Sequence, residues 1–117
     1  VLVGTNVVID GNCSIGNNVS LQTGAYVTAF TTLEDGVFLG PCSVTTNDKY
    51  MKQGAALKGP VIKKGARIGA NSVILPEVVI EEGSVVGAGS VVTCNVATNT
   101  TVAGNPAKVI NKKGKAN

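Results

Sequence analysis

Every sixth residue of this chain is aliphatic. Counting from Val3, the column runs Val3, Ile9, Ile15, Leu21, Val27, Leu33 and Leu39. After a break it resumes as Ile62, Ile68, Ile74, Ile80, Val86 and Val92. Four places after each stands a small residue: Val7, Cys13, Val19, Ala25, Thr31, Val37 and Ser43, then Ala66, Ser72, Val78, Ser84, Ser90 and Val96. All thirteen rows obey both columns. A period of six matches neither the turn of a helix nor the plain alternation of a long strand. It fits a short strand, a tight turn and another short strand, repeated.

The turn has its own column. Asn6, Asn12, Asn18, Gly24, Phe30, Gly36, Cys42, Gly65, Asn71, Glu77, Gly83, Gly89 and Asn95 share the fourth place of their rows, and ten of these thirteen are Gly or Asn. Those two residue types tolerate positive φ. Pro41 and Pro76 stand just before two of them, where proline presets the first central position of a turn. One corner per row closes the chain into a triangular prism after three rows, with successive coils stacking as parallel strands. The reading is all-β: a left-handed parallel β-helix of hexapeptide repeats, about four coils high, in one domain spanning 1–117.

Rows eighteen apart are expected to stack, so that one face carries Val3, Leu21, Leu39, Ile74 and Val92. A second carries Ile9, Val27, Ile62 and Ile80, and a third Ile15, Leu33, Ile68 and Val86. Coils cover 3–44 and 62–97, a protruding loop occupies 45–61, and a tail at 98–117 runs off the prism as an extended or helical segment. The chain opens at Val1, inside a row and without Met, so an N-terminal part is expected ahead of it.

Composition agrees with a narrow interior. Aromatic residues make up 3% of the chain and Trp is absent, as a prism with no room for large rings requires. Tyr26, Phe30 and Phe38 fall on outward or corner places, where rings serve an interface or a ligand. The net charge is +3, with Lys108, Lys112, Lys113 and Lys115 gathered near the end. No apolar run approaches the length of a membrane span and no leader pattern is present, which points to a soluble protein, and the unpaired cysteines point to a reduced, cytoplasmic one. The three cysteines have neither metal nor redox spacing; Cys13 falls on an inward place, and Cys42 and Cys94 lie two coils apart.

The sequence contains no histidine. That removes histidine-held zinc sites, catalytic triads and the imidazole general base. No glycine-rich phosphate loop opens a helix, and no basic stripe with interleaved aromatics offers itself to nucleic acid. The loop therefore holds most of the chemistry: Thr46-Asn47-Asp48-Lys49-Tyr50-Met51-Lys52 is its polar start. Asn47 and Asp48 are also ordinary turn residues, and Glu34, on a row edge, reads as a solvated carboxylate.

The rows Ile68-Gly69-Ala70-Asn71-Ser72-Val73-Ile74-Leu75-Pro76 and Val86-Gly87-Ala88-Gly89-Ser90-Val91-Val92, with the ending Val102-Ala103-Gly104-Asn105-Pro106-Ala107-Lys108-Val109-Ile110, resemble the closing coils of hexapeptide-repeat acyltransferases. Gly40-Pro41 followed by Thr46-Asn47-Asp48 resembles the branch that N-acetylates amino sugars carried on UDP or dTDP. In that branch Pro-Arg often follows Asn-Asp; here Lys49-Tyr50-Met51-Lys52 follows it. The resemblance implies a homotrimer with active sites in clefts between neighbouring prisms, and acetyl-CoA, without a metal, as co-substrate. It implies that Gly69, Ala70, Gly87 and Ala88 line the pantetheine arm and that Lys108 lies near the CoA phosphates. It places Asn47 at the reacting carbonyl.

An acceptor hydroxyl needs a strong base, whereas an amine needs only to be unprotonated. A chain without imidazole therefore suits an amine. The expected function is acetyl-CoA-dependent N-acetylation of a nucleotide-linked amino sugar, in surface polysaccharide precursor synthesis. Asn47 would hold the oxyanion, and Asp48 would orient the amine or take its proton. The alternative is a non-catalytic trimerising or regulatory β-helix domain of a larger sugar-nucleotide enzyme. A purely structural repeat protein is a third reading.

Overall fold

The computed structural model describes residues 1–112; the expected tail lysines Lys113 and Lys115 lie outside the described residues. Its strands wind into three parallel sheets, the left-handed hexapeptide β-helix that the six-residue period calls for. Sheet one stacks β1 (Leu2–Val3), β4 (Ser20–Leu21), β7 (Phe38–Leu39), β10 (Arg67–Ile68), β13 (Val85–Val86) and β15 (Thr100–Gly104). The antiparallel β16 (Ala107–Lys112) closes its far edge. Sheet two holds β2 (Val8–Ile9), β5 (Tyr26–Val27), β8 (Val44–Thr45), β11 (Val73–Ile74) and β14 (Val91–Val92). Sheet three holds β3 (Ser14–Ile15), β6 (Thr32–Leu33), β9 (Val61–Ile62) and β12 (Val79–Ile80).

The aliphatic column fills the prism. Leu21, Val27, Leu33, Leu39, Ile62, Ile68, Ile74 and Ile80 are all at most 1% exposed, each contributing on the order of 1.5–3 kcal/mol of burial. The small column sits beside them, with Val19, Ala25, Val37, Ala66 and Ser72 equally hidden. Twelve of the thirteen corner residues adopt φ between 57° and 75°. Phe30, Cys42 and Glu77 do so despite their Cβ atoms, at a cost of about 1–2 kcal/mol each.

Three expectations are corrected. The first concerns register after the break. Ile68 stacks on Leu39, Ile74 on Thr45, and Ile62 on Leu33, one face away from the predicted columns. The reason is Thr45, which continues the coil in β8 although it is polar. Its buried Oγ1 accepts the Thr28 amide at 2.9 Å and donates to the Tyr26 carbonyl at 3.2 Å. The loop therefore comprises residues 46–60 and leaves the corner between sheets two and three, while Thr45 and Val61 are strand residues.

The second correction concerns the end of the prism. Val96 follows Val92 by four positions instead of six, takes the inward place and bridges to Ile80. The six-residue step then resumes, and Val102 stacks on Val86 at 4% exposure. Residues 100–104 thus belong to the solenoid, and 107–112 fold back on them rather than running off. Asn95, the one corner residue without positive φ, spends its Oδ1 on the Val79 amide at 2.8 Å. The third correction is a consequence: sheet one has six parallel levels, taller than four coils.

Candidate active site

Where the loop leaves sheet two, its base and the corner beneath it enclose a groove of about 960 Å³. Asn47 and Asp48 line it, facing Pro76 and Glu77 on a coil corner and Thr93 to Asn95 on the next. The loop neck is tied to the coil. The Thr46 amide and hydroxyl both donate to the Ile74 carbonyl, at 3.0 and 2.9 Å. The Lys58 amide donates to the Asn47 carbonyl at 2.9 Å, joining the outgoing and returning limbs. A Cβ at Gly59 would stand 2.7 Å from the Phe30 backbone, so the returning limb needs glycine there.

Both predicted loop residues have structural partners. Asn47 Nδ2 donates to the Ala29 carbonyl at 3.1 Å, which leaves the second amide N–H and Oδ1 for the groove. Asp48 Oδ1 accepts the amides of Tyr50 and Met51 at 3.1 and 2.8 Å, folding the first loop turn around itself. Its Oδ2 has no hydrogen-bond partner among the described residues. Glu34 Oε1 accepts the Lys64 amide at 3.1 Å and so helps to hold a corner.

The residues expected at the cofactor lie elsewhere on the same chain. Gly69 and Ala70 follow β10, and Gly87 and Ala88 follow β13, so they stack at the corner between sheets one and two. Coil stacking by itself demands the small size of the two glycines. A Cβ on Gly69 would stand 2.5 Å from the Ala88 amide nitrogen, and one on Gly87 would stand 3.0 Å from Ala103 Cβ. Lys108 is exposed on β16, opposite Ala103. A single chain thus brings Asn47 and Asp48 together, but not with Gly69, Ala70, Gly87, Ala88 or Lys108. Among the described residues no group of histidine, cysteine or carboxylate side chains has the arrangement of a metal site, and no helix is long and apolar enough to cross a membrane.

One polar arrangement at the edge of the groove, which Tyr26 and Thr28 line and Asp10 does not, was not legible beforehand. Tyr26 Oη donates to Asp10 Oδ2 at 2.7 Å and lies 3.4 Å from Thr28 Oγ1. The bond to the Asp10 carboxylate is the main reason the Tyr26 phenol is pushed above its ordinary range; the Thr28 contact works the other way. The two residues are sixteen apart, a diagonal between adjacent coils that a strict period does not mark. Cys94 is exposed in the same groove, whereas burial pushes the Cys13 thiol up.

Comparison with known proteins bears on this geometry. Residues 59–94 match the family described as bacterial transferase hexapeptide (six repeats). Serine acetyltransferase 2 of Arabidopsis thaliana is 37% identical over 107 residues, covering 92% of this chain and 27% of that protein. The chain therefore spans about a quarter of that curated relative. A hexapeptide-repeat acetyltransferase from Vibrio cholerae, solved with acetyl coenzyme A, has 26% identity and a TM-score of 0.78, covering 97% of this chain and 71% of its own. A histidine-to-alanine mutant of GDP-perosamine N-acetyltransferase from Caulobacter crescentus, solved with CoA and GDP-perosamine, has 23% identity, a TM-score of 0.73, and coverage of 95% and 58%. At that identity the last likeness is one of fold alone.

Proposed function

From residues 59–94, which belong to the bacterial transferase hexapeptide family, we propose a reading for the whole chain: an acetyl-CoA-dependent N-acetyltransferase whose acceptor is a nucleotide-linked amino sugar. The observation that carries it is the groove under the loop. It presents an amide and a carboxylate side by side at the base of a loop tied to the coil, within a sequence that has no imidazole. The neutral amine attacks the thioester carbonyl, the carbon–sulfur bond breaks, and the CoA thiolate leaves. The free N–H of Asn47 supports the oxyanion. Asp48 Oδ2 orients the amine and receives its proton, which finally returns to the thiolate or to water.

The site is completed by a second copy of the chain in a homotrimer. Gly69, Ala70, Gly87 and Ala88 of the neighbouring prism run along the pantetheine arm, and Lys108 answers the CoA phosphates. The availability of acetyl-CoA and sugar nucleotides assigns the reaction to the cytoplasm, ahead of surface polysaccharide assembly. The test is CoA thiol release from acetyl-CoA with UDP- and dTDP-linked amino sugars, comparing the parent with Asn47→Ala. Release by the parent that falls at least tenfold in the variant supports the reading; equal release, or none, overturns it.

One observation favours a second reading. The Ala29 carbonyl occupies Asn47, and the Tyr50 and Met51 amides occupy Asp48, as in a loop built only for shape. A non-catalytic trimerising or regulatory β-helix of a larger sugar-nucleotide enzyme would look the same. Binding of CoA by calorimetry separates the two, because only the enzyme requires it.

A further inference from the structure

The outward places of sheet two stack Val8, Tyr26, Val44, Val73 and Val91. Four are aliphatic, and the one hydroxyl among them reaches the corner where the groove begins. That hydroxyl is held. Its proton goes to Asp10 Oδ2 at 2.7 Å, and Thr28 Oγ1 lies beside it at 3.4 Å.

Both residues stand on coil backbone rather than on the loop. The Asp10 amide donates to the Val27 carbonyl and the Tyr26 amide to the Ser43 carbonyl, each at 2.9 Å. A group fixed in this way is pre-organised, losing little freedom when a ligand arrives. With its single proton committed to a carboxylate, the phenol oxygen offers the groove lone pairs. It therefore selects a ligand that donates an N–H or O–H, which a sugar amine and its neighbouring hydroxyls do.

We propose that Tyr26, which lines the groove and is held by Asp10 from outside its lining, is the acceptor-orienting part of the site. Tyr26 Oη accepts a hydrogen bond from the amino sugar, and Asp10 acts through Tyr26 as a positioning residue. This rests on the N-acetyltransferase reading and adds a contact that neither Asn47 nor Asp48 supplies. It also explains a phenol at a place where the rest of the ladder is aliphatic.

The test is steady-state kinetics on the full 117-residue chain with the UDP- and dTDP-linked amino sugar that it turns over best, alongside thermal melting. Tyr26→Phe keeps the ring and removes the oxygen. The acceptor KM should rise roughly tenfold, the loss of one hydrogen bond to a ligand, with the acetyl-CoA KM and the melting temperature unchanged. Asp10→Ala should behave like Tyr26→Phe, while Asp10→Asn, whose Oδ1 still accepts the phenol proton, should restore most of the affinity. Parent turnover with an unchanged acceptor KM in Tyr26→Phe overturns this inference alone. So does a pair of variants that melt early and lose affinity for both substrates together, which would make the pair structural. No turnover by the parent overturns the acetyltransferase reading and this inference with it.

Discussion

Thr45 Oγ1 accepts the backbone amide of Thr28 at 2.9 Å. In the neighbouring coils that amide position is served by a backbone carbonyl of the next coil, as when Asp10 donates to the Val27 carbonyl. At Thr45 the chain is turning out into the loop, and a side chain replaces the carbonyl. The Thr31 hydroxyl donates to the same oxygen at 3.2 Å, so the replacement is a small buried network. The groove stands on this substitution, since the loop neck begins at the next residue.

Thr45→Val keeps the shape and removes the acceptor. The Thr28 amide is then buried without a partner, which costs about 1–3 kcal/mol. Urea unfolding should show a lower midpoint with an unchanged slope, and Thr45→Ser should recover most of the loss. A Val variant as stable as the parent would remove the hydroxyl from this role.

The corner residues make a prediction of the opposite sign. Glu77 sits at φ 67°, and its carboxylate makes no hydrogen bond among the described residues. Glu77→Gly should stabilise by about 1 kcal/mol, because glycine adopts that φ freely. Asn71→Ala, at φ 58°, should destabilise by a similar amount, because alanine lacks the tolerance of asparagine for this region. Thermal melting of the two variants beside the parent checks both.

Much of this was readable in advance because the prism is narrow. An interior that admits one aliphatic side chain per row forces the column, and a corner with positive φ forces Gly or Asn. Thr45 escaped because its polar side chain broke the aliphatic column while its backbone kept the coil. Val96 escaped because a corner shortened by two residues moved it from the small column to the inward one. The chemistry of Asn47 and Asp48 was legible from residue type, but their ties to Ala29, Tyr50 and Met51 depend on where the loop folds back. Asp10 and Tyr26 both point outward, where the period says nothing.

The cysteines should react unequally. Cys42 and Cys94 are exposed, whereas Cys13 is part-buried and donates its thiol to the Thr28 carbonyl at 3.0 Å. Burial is the main cause that raises its pKa, so less of it is thiolate at any given pH. An aromatic disulfide reagent near neutral pH should titrate two thiols quickly and the third slowly. The slow phase should accelerate only as pH climbs beyond the ordinary thiol range. Three equal rates would contradict the burial of Cys13.

Lys108 offers a test of the cofactor side. Lys108→Ala should weaken CoA binding roughly tenfold, the scale of a charge-assisted hydrogen bond, and the difference should shrink as salt is added. Calorimetry at two ionic strengths reads both effects. Unchanged affinity would move the CoA phosphates away from β16.

The most direct measurement identifies the acetylated atom. The chain is incubated with acetyl-CoA and a panel of UDP- and dTDP-linked amino sugars, their hydroxyl counterparts and L-serine, and the products are read by mass spectrometry and NMR. Catalysis by an amide and a carboxylate without imidazole predicts one acetyl group on the amine of a nucleotide-linked sugar, with no ester and no acetylated serine. An ester product, acetylated serine, or no transfer to any member of the panel would contradict it.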